Sequence, residues 1–329
     1  MIMANVLTNA VIETIRLGKP AGEKTFHIAL TGTADYIPHM GVEIFSAFQS
    51  NRDLPITYHL FVNQLSARER KNLTAAAKEM GSEIRVHLID DSCFKTIVLS
   101  DGVAAFFYRF LVAPTLTGQT DRVLYLDGDM MVRGSLRYLA ELDFQGKAAA
   151  VVTDRREEIR RKRVGTSRYF NAGMMLINLP VWEKKGFFDD IVRRAQENTK
   201  KVGERISSHD QDIHNQMLDG ETLYIDRKYN YLYNLDRQPL FKRQPENDDY
   251  TKQVIIHFAG HAKSWHSWVQ EWPAVKEYAK IQQLSPWKEY ALIPPKTEKE
   301  IHQAARTARM YSRWSEMLKW YGLYMMKKL

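Results

Sequence analysis

Only one cysteine, Cys93, occurs in the 329 residues. No intrachain disulfide can form, so the fold must rest on its core, which suits a reducing cytoplasm. Long apolar runs are missing as well, since no stretch approaches the roughly 20 residues that cross a bilayer. The opening residues MIMANVLTNAVIETIRLGKP lack a basic start followed by an apolar run, so no secretory signal is expected. Internal repeats and low-complexity tracts are absent too. Acidic residues are in deficit: 39 Asp and Glu stand against 47 Lys and Arg, a formal charge of +8. A basic chain of this kind invites nucleic acid, an anionic membrane surface or a phosphorylated substrate, and charge alone does not choose among them. What remains, at 44% hydrophobic and 26% charged residues, is the composition of an ordinary folded enzyme.

Apolar runs alternate with helical patterns. FHIAL at 26–30, ITYHLFV at 56–62, IRVHLID at 84–90, RVLYLD at 122–127 and AAAVVTD at 148–154 read as strands. Helical patterns lie between them, at about 38–49 and from Ser66 to Gly81. There Ser66 and Glu69 have the spacing of a capping box. FNAGMMLINL at 170–179 and QVIIHFAG at 253–260 continue the strands, and 210–218 reads as a helix. Such alternation predicts an α/β fold with a mainly parallel sheet and helices on its faces. The boundaries expected are a helical or loose leader at 1–24, one main domain at 25–275 and a C-terminal helical extension at 276–329. Residues 155–168 are strongly basic and read as a mobile surface loop.

Two predicted strands end in aspartate, and open α/β sheets bind ligands at the carboxyl ends of their strands. Asp127-Gly128-Asp129 is the sharpest constellation. Two carboxylates one residue apart, leaving a strand at a turn, can reach one hard cation, although Asp-Gly-Asp is also ordinary turn chemistry. His257 ends another apolar strand and is followed by Gly260 and Lys263 in HFAGHAKSW. A glycine turn can approach a diphosphate closely, and a lysine can neutralise leaving-group charge. The bland alternative is a core histidine and a solvated lysine. Asp210, Gln211 and Asp212 sit at a helix start, where capping explains them nearly as well. Asn171, Ala172 and Gly173 suit close approach to a sugar, or a simple glycine bulge.

Taken in order along the chain, FHIALTGTADY, Tyr108-Arg109, LYLDGDMMV, FNAGMMLINL, DQD and HFAGHAKSWH resemble glycosyltransferase family 8 over about 25–270. SPWKEYALIPP looks like the C-terminal region of its lipopolysaccharide core galactosyl- and glucosyltransferases. The resemblance implies a GT-A fold, Rossmann-like, with the helical, basic and aromatic extension behind it. It implies a retaining enzyme that moves glucose or galactose from a UDP-sugar to a lipopolysaccharide core acceptor in α linkage. By the same resemblance Asp127, Asp129 and His257 would hold Mn²⁺, with Mg²⁺ as a substitute. Gly260 and Lys263 would contact the diphosphate, and Tyr36, with Asp35 and Thr33, the uracil. Gly128 would lie in the same donor site. Arg109, Asn171, Ala172, Asp210 and Gln211 would surround the sugar, with Asp154 and Gln211 at the reacting centre. Three departures stand out. Thr33 replaces an often acidic residue, Lys263-Ser264-Trp265 replaces Lys-Pro-Trp, and glycine is the middle residue of the acidic turn.

Gln211 is a poor nucleophile, so front-face substitution is expected, with Asp212 as the fallback for a covalent route. From 296 onward eight Lys or Arg face three Glu, and Ile301, Ala304, Ala308, Tyr311, Leu318 and Met325 recur at helical spacing. One helix from about 297 to the end is expected to lie on an anionic membrane. That places the enzyme on the cytoplasmic face of an inner membrane. Two rivals remain. The runs Arg155-Arg156 and Arg160-Arg161-Lys162-Arg163 could grip nucleic acid, although no recognised motif accompanies them and none is expected to bind. The same metal site could also serve a UDP-sugar hydrolase that needs no acceptor.

Overall fold

A computed structural model of the protein describes residues 9–20, 22, 24–92, 104–191, 193, 209–236 and 250–328. Cys93 and residues 1–8 lie outside them. In chain order the first half comprises β1 (Val11–Leu17), β2 (Phe26–Gly32), α1 (Ile37–Ser50), β3 (Ile56–Val62), α2 (Ala67–Met80), β4 (Glu83–Ile89), α3 (Val112–Leu116), β5 (Arg122–Asp127), β6 (Met130–Val132) and α4 (Arg137–Glu141). The second comprises β7 (Ala149–Thr153), α5 (Glu157–Val164), β8 (Phe170–Asn178), α6 (Leu179–Lys185), α7 (His209–Met217), β9 (Thr222–Tyr224), β10 (Tyr231–Leu232), β11 (Ile255–His257), α8 (Pro273–Leu284), α9 (Glu298–Met310) and α10 (Trp314–Lys328).

Eight strands form one mixed sheet in the order β1-β4-β3-β2-β5-β8-β7-β9. Its middle, β4-β3-β2-β5, is parallel. Every residue of β2 and β3 is buried, because helices cover both faces and leave no solvated side to pattern. One face carries Leu30, Leu60 and Val86 under Ile44 and Phe45 of α1. The other carries Ala29, Phe61 and Tyr125 under Phe110 and Leu111. Register brings Thr31 of β2 beside Asp127 of β5, so both strands deliver their last residues to one edge. A second sheet, β10-β11-β6, pairs His257 with Met130 in antiparallel register. That pairing sets His257 against the acidic turn between β5 and β6.

Four sequence expectations change. Within the stretch read as leader, residues 11–17 form an edge strand, β1, antiparallel to β4. The basic 155–168 segment is not a loop over its length. Residues 157–164 are helical, with two Glu in the first turn, three cations in the last and Gly165 at φ 78° closing it. Ser66 accepts from Glu69 N at 3.1 Å, but the Glu69 carboxylate does not return to complete the box. It takes the Trp287 indole N–H at 2.8 Å and the Tyr290 hydroxyl, anchoring SPWKEYALIPP onto α2. The C-terminal helix is two helices, broken where Ser312 adopts φ 57°. Ile301, Ala304 and Ala308 are buried, whereas Tyr311, Leu318 and Met325 are exposed, so they do not share one face. Among the described residues no helix is long and apolar enough to cross a membrane.

Candidate active site

Asp127 ends β5, Asp129 follows the Gly128 turn, and His257 ends β11. One ligand atom from each lies within 4.8 Å of the others. Asp129 Oδ1 is buried with no hydrogen-bond donor, and it faces His257 Nε2 at 3.3 Å. Gly173 keeps the space open, since a Cβ there would sit 2.5 Å from His257 Cε1 and 2.8 Å from Asp127 Oδ2. Gly128 has a similar reason to lack a side chain: a Cβ would meet Met40 Cγ at 2.8 Å. Two carboxylates and an imidazole suit Mn²⁺, with Mg²⁺ a harder, oxygen-preferring alternative. The uncompensated oxygen and the open cradle fit a divalent cation.

Lys263 places its ammonium on Asp129 Oδ2 and donates to the Phe258 carbonyl at 3.2 Å. Burial alone would raise the Asp129 carboxyl, but Lys263, together with His257, overrides it and holds the group well below the usual carboxylate range. Burial also opposes the Lys263 charge, and Asp129 restores it and lifts its pKa above the ordinary lysine value. Arg109 is buried in the same way. Its guanidinium reaches Asp127 at 2.9 Å, Asp210 at 3.1 Å and the Ala172 carbonyl at 3.2 Å. Tyr125 adds a hydrogen bond to Asp127 at 2.6 Å. Five of the residues singled out in the sequence thus form one group, with three carboxylates against two cations.

Gln211, Asn171, Ala172 and Asp154 form a second network. Gln211 Oε1 accepts from Asn171 Nδ2 and from Ala172 N, both at 3.2 Å. Its amide donates to the Tyr169 hydroxyl at 3.1 Å and to Asp154 at 3.5 Å. Asp154 also holds Arg160 at 3.4 Å. Asp212 is committed elsewhere: Arg163 grips both its oxygens at 2.7 and 2.9 Å, and the Tyr169 hydroxyl donates to it. Burial raises its carboxyl pKa despite those donors. The helix carrying these arginines is the segment first read as a loop.

Other expected residues sit further out. Thr33 bonds to Asp35, which is exposed. Tyr36 lies edge-on to Trp265 at 5.6 Å. Trp265 stacks on His39 at 3.7 Å, which steadies the loop where Ser264 replaces proline. Gly260 adopts φ 114°, with Asp236 filling the space a Cβ would need. Asp236 in turn accepts the His261 and Ala262 amides at 2.7 and 3.0 Å. A cavity of about 900 Å³ opens at the opposite end of β2 and β5, beside Lys24, His27 and Arg122, and contains none of these residues.

Sequence reasoning missed three supports. Asn230 bonds His257 Nδ1 at 3.0 Å and Asn171 Oδ1 at 2.9 Å. Glu43, on the buried face of α1, accepts the Met130 amide at 3.1 Å and braces the strand after the acidic turn. Burial pushes its carboxyl well above the usual range. A glutamate within PHMGVEIFSAF was a visible signal, being a charge on an apolar helix face. Asp236 gave none, lying in an unremarkable polar stretch.

A buried lysine beside a carboxylate-imidazole cluster, at the carboxyl edge of an open α/β sheet, could hold a divalent cation and an anionic group next to it. The chain belongs to glycosyl transferase family 8, whose sequence profile matches residues 27–269, and it is a glycosyltransferase. It is 30% identical over 315 residues to a lipopolysaccharide 1,3-galactosyltransferase of Salmonella typhimurium, covering 92% of this chain and 91% of the relative. It is 26% identical over 298 residues to the lipopolysaccharide glucosyltransferase WaaO of Escherichia coli, covering 88% and 87%. The galactosyltransferase LgtC, solved in complex with donor and acceptor sugar analogs, has the same GT-A fold. The TM-score is 0.65 at 24% identity, over 79% of this chain and 96% of that one.

Proposed function

We propose that this protein transfers glucose or galactose from a UDP-sugar to a lipopolysaccharide core acceptor, with retention in α linkage. The observation that carries the reading is the convergence of Asp127, Asp129 and His257, with ligand atoms within 4.8 Å of one another, beside Lys263. The names of the two relatives support the substrate class. Asp127, Asp129 and His257 would hold Mn²⁺, or Mg²⁺, and the bound ion would stabilise charge on the departing diphosphate.

The protein's own groups do the rest. Lys263 neutralises charge developing on UDP, and its pairing with Asp129 keeps it protonated. Arg109 holds Asp127 and Asp210 in place around the sugar. Gln211 presents an amide to the reacting face, with Asp154 beside it. An amide is a poor nucleophile, and Asp212 is occupied by Arg163 and Tyr169. Among the described residues of this network, a double displacement of the kind retaining hydrolases use finds Asp154, Asp210 and Asp212 each paired with an arginine. The acceptor hydroxyl therefore attacks from the face that UDP leaves, and a phosphate oxygen of UDP takes its proton.

Asp35, Thr33 and Tyr36 would line the uracil end, and Gly128, Gly260, Asn171 and Ala172 would lie along the rest of the donor. On α10, Trp314, Leu318 and Met325 are exposed at helical spacing near Lys319 and Lys327. That supports docking on the anionic cytoplasmic face of the inner membrane, where a lipid-linked acceptor would lie. Proton NMR of the purified product tests the reaction. A small anomeric coupling, diagnostic of an α-hexoside, is expected, and a large one would refute retention.

A further inference from the structure

The hydrogen bonds around Asn230 fix which atom of each side chain faces which. A backbone N–H can only donate. Gly173 N donates to Asn171 Oδ1 at 3.1 Å, and Ala172 N donates to Gln211 Oε1 at 3.2 Å. Asn171 therefore turns its oxygen to Gly173 and its amide nitrogen to Gln211. Asn230 meets that same Asn171 oxygen at 2.9 Å. Because the oxygen accepts, Asn230 must offer its NH₂ there. Its own oxygen is left facing His257 Nδ1 at 3.0 Å. An amide oxygen only accepts, so His257 carries its proton on Nδ1. Nε2 is thereby left as the ring nitrogen that faces Asp129 Oδ1, at 3.3 Å. Asn230 and His257 are 3% and 5% exposed, so solvent does not reset either bond.

We infer that Asn230 is a positioning residue with two outputs. It sets the His257 tautomer that can ligate a divalent cation, and it holds Asn171 in the orientation that grips the donor sugar. One amide thus couples metal affinity to sugar recognition. The inference rests on the reading of Asp127, Asp129 and His257 as the metal site and of Asn171 as a donor-sugar residue. Polar groups that orient metal-bound histidines commonly contribute tenfold or more to affinity. Here the same group also faces the substrate side.

Two variants separate the outputs. Asn230→Ala removes both bonds. Asn230→Asp can still accept from His257 Nδ1, but an ionised carboxylate cannot donate to Asn171. Free Mn²⁺ is titrated by electron paramagnetic resonance against the full-length protein with UDP, and UDP and UDP-sugar affinities are compared by calorimetry. For Asn230→Ala, Mn²⁺ affinity is expected to fall about 10- to 100-fold. The affinity advantage of the UDP-sugar over UDP should fall about fivefold, the worth of one hydrogen bond. Asn230→Asp is expected to retain the Mn²⁺ affinity and lose only the sugar advantage. Should Asn230→Ala not fold, that split in Asn230→Asp carries the test alone. Wild-type Mn²⁺ affinity and sugar advantage in both folded variants, with only a lower melting temperature, would overturn the inference by itself. Failure of the wild-type protein to take Mn²⁺ with UDP would overturn the metal reading and this inference together.

Discussion

His257 Nε2 and Asp129 Oδ1 lie 3.3 Å apart with no donor on the Asp129 oxygen. An imidazole nitrogen and a carboxylate oxygen at that separation are placed to share one divalent cation. Asp129→Ala and Asp127→Ala are expected to abolish metal-dependent turnover while the fold survives. Asp129→Ala also strands the buried Lys263, a cost of about 3 kcal/mol, and should lower the denaturant midpoint as well. Near-normal EDTA-sensitive activity in either variant would remove the metal site.

Gly173→Ala tests the same cradle without replacing a ligand residue. A methyl group there meets His257 Cε1 at 2.5 Å and Asp127 Oδ2 at 2.8 Å. Mn²⁺ affinity is expected to fall at least tenfold, the scale of a disturbed ligand shell, with circular dichroism unchanged. Wild-type Mn²⁺ binding would mean that the cradle is not where the ion sits.

Asp212 is gripped by Arg163 and Tyr169. Mass spectrometry of the protein quenched during turnover should therefore find no glycosyl adduct on it. Asp212→Asn should slow transfer through a loosened Tyr169–Gln211 network without changing the product's anomeric configuration. An adduct trapped on Asp212 would contradict front-face attack.

Acid should destabilise the protein well above the carboxylate range. His27, His59 and His87 hydrogen-bond in a row across β2, β3 and β4 at 2.9 and 3.0 Å. Burial lowers the pKa of His27 and His87 to about 4, and of His59 well below its usual value. Burial also lowers His266 to about 4, and His39 and His214 to about 3. A depressed folded-state pKa means that the unfolded chain binds the proton first. The stabilisation is complete above the unfolded value of about 6.5 and is lost as pH falls toward 4 or 3. Each histidine contributes a slope of up to about 1.4 kcal/mol per pH unit in that window. Glu43, Glu69 and Asp212, whose pKa values are raised by burial, pull the other way. Six histidines outweigh three acids, so the urea midpoint should drop between pH 7 and pH 5. An unchanged midpoint would contradict the neutral buried histidines.

The two C-terminal helices call for different cuts. Ile301, Ala304 and Ala308 of α9 are buried, so deletion from 297 would open the core. Deletion of 314–329 removes only α10, where Leu318 is 67% and Trp314 59% exposed. That variant should lose salt-sensitive binding to anionic vesicles and keep transfer to a soluble acceptor. Equal pelleting of both proteins would remove the membrane reading.

Much of the fold was legible because strand pattern and helix pattern alternate plainly: β2, β3, β4, β5 and β8 fall where the apolar runs lie. The edge strand β1 was not, since VIETIRL is largely exposed and pairs on one side only. Helix α5 was hidden by its charge, for it buries no residue and is held by Arg160 and Arg163 reaching the buried carboxylates Asp154 and Asp212. Individual site residues were visible as motifs, yet each had a bland alternative until register joined β6 to β11. Asn230 carried no local signal, because its meaning lies wholly in two contacts, His257 and Asn171, distant in sequence.

UDP release is the most direct measurement. Purified protein is incubated with Mn²⁺ and either UDP-glucose or UDP-galactose, with and without a truncated lipopolysaccharide acceptor. Release from one donor that the acceptor stimulates and EDTA abolishes is the expected result, and it names the sugar. Release that ignores the acceptor would make the protein a hydrolase, and no release or UDP binding with either donor would contradict the assignment of this site to sugar transfer.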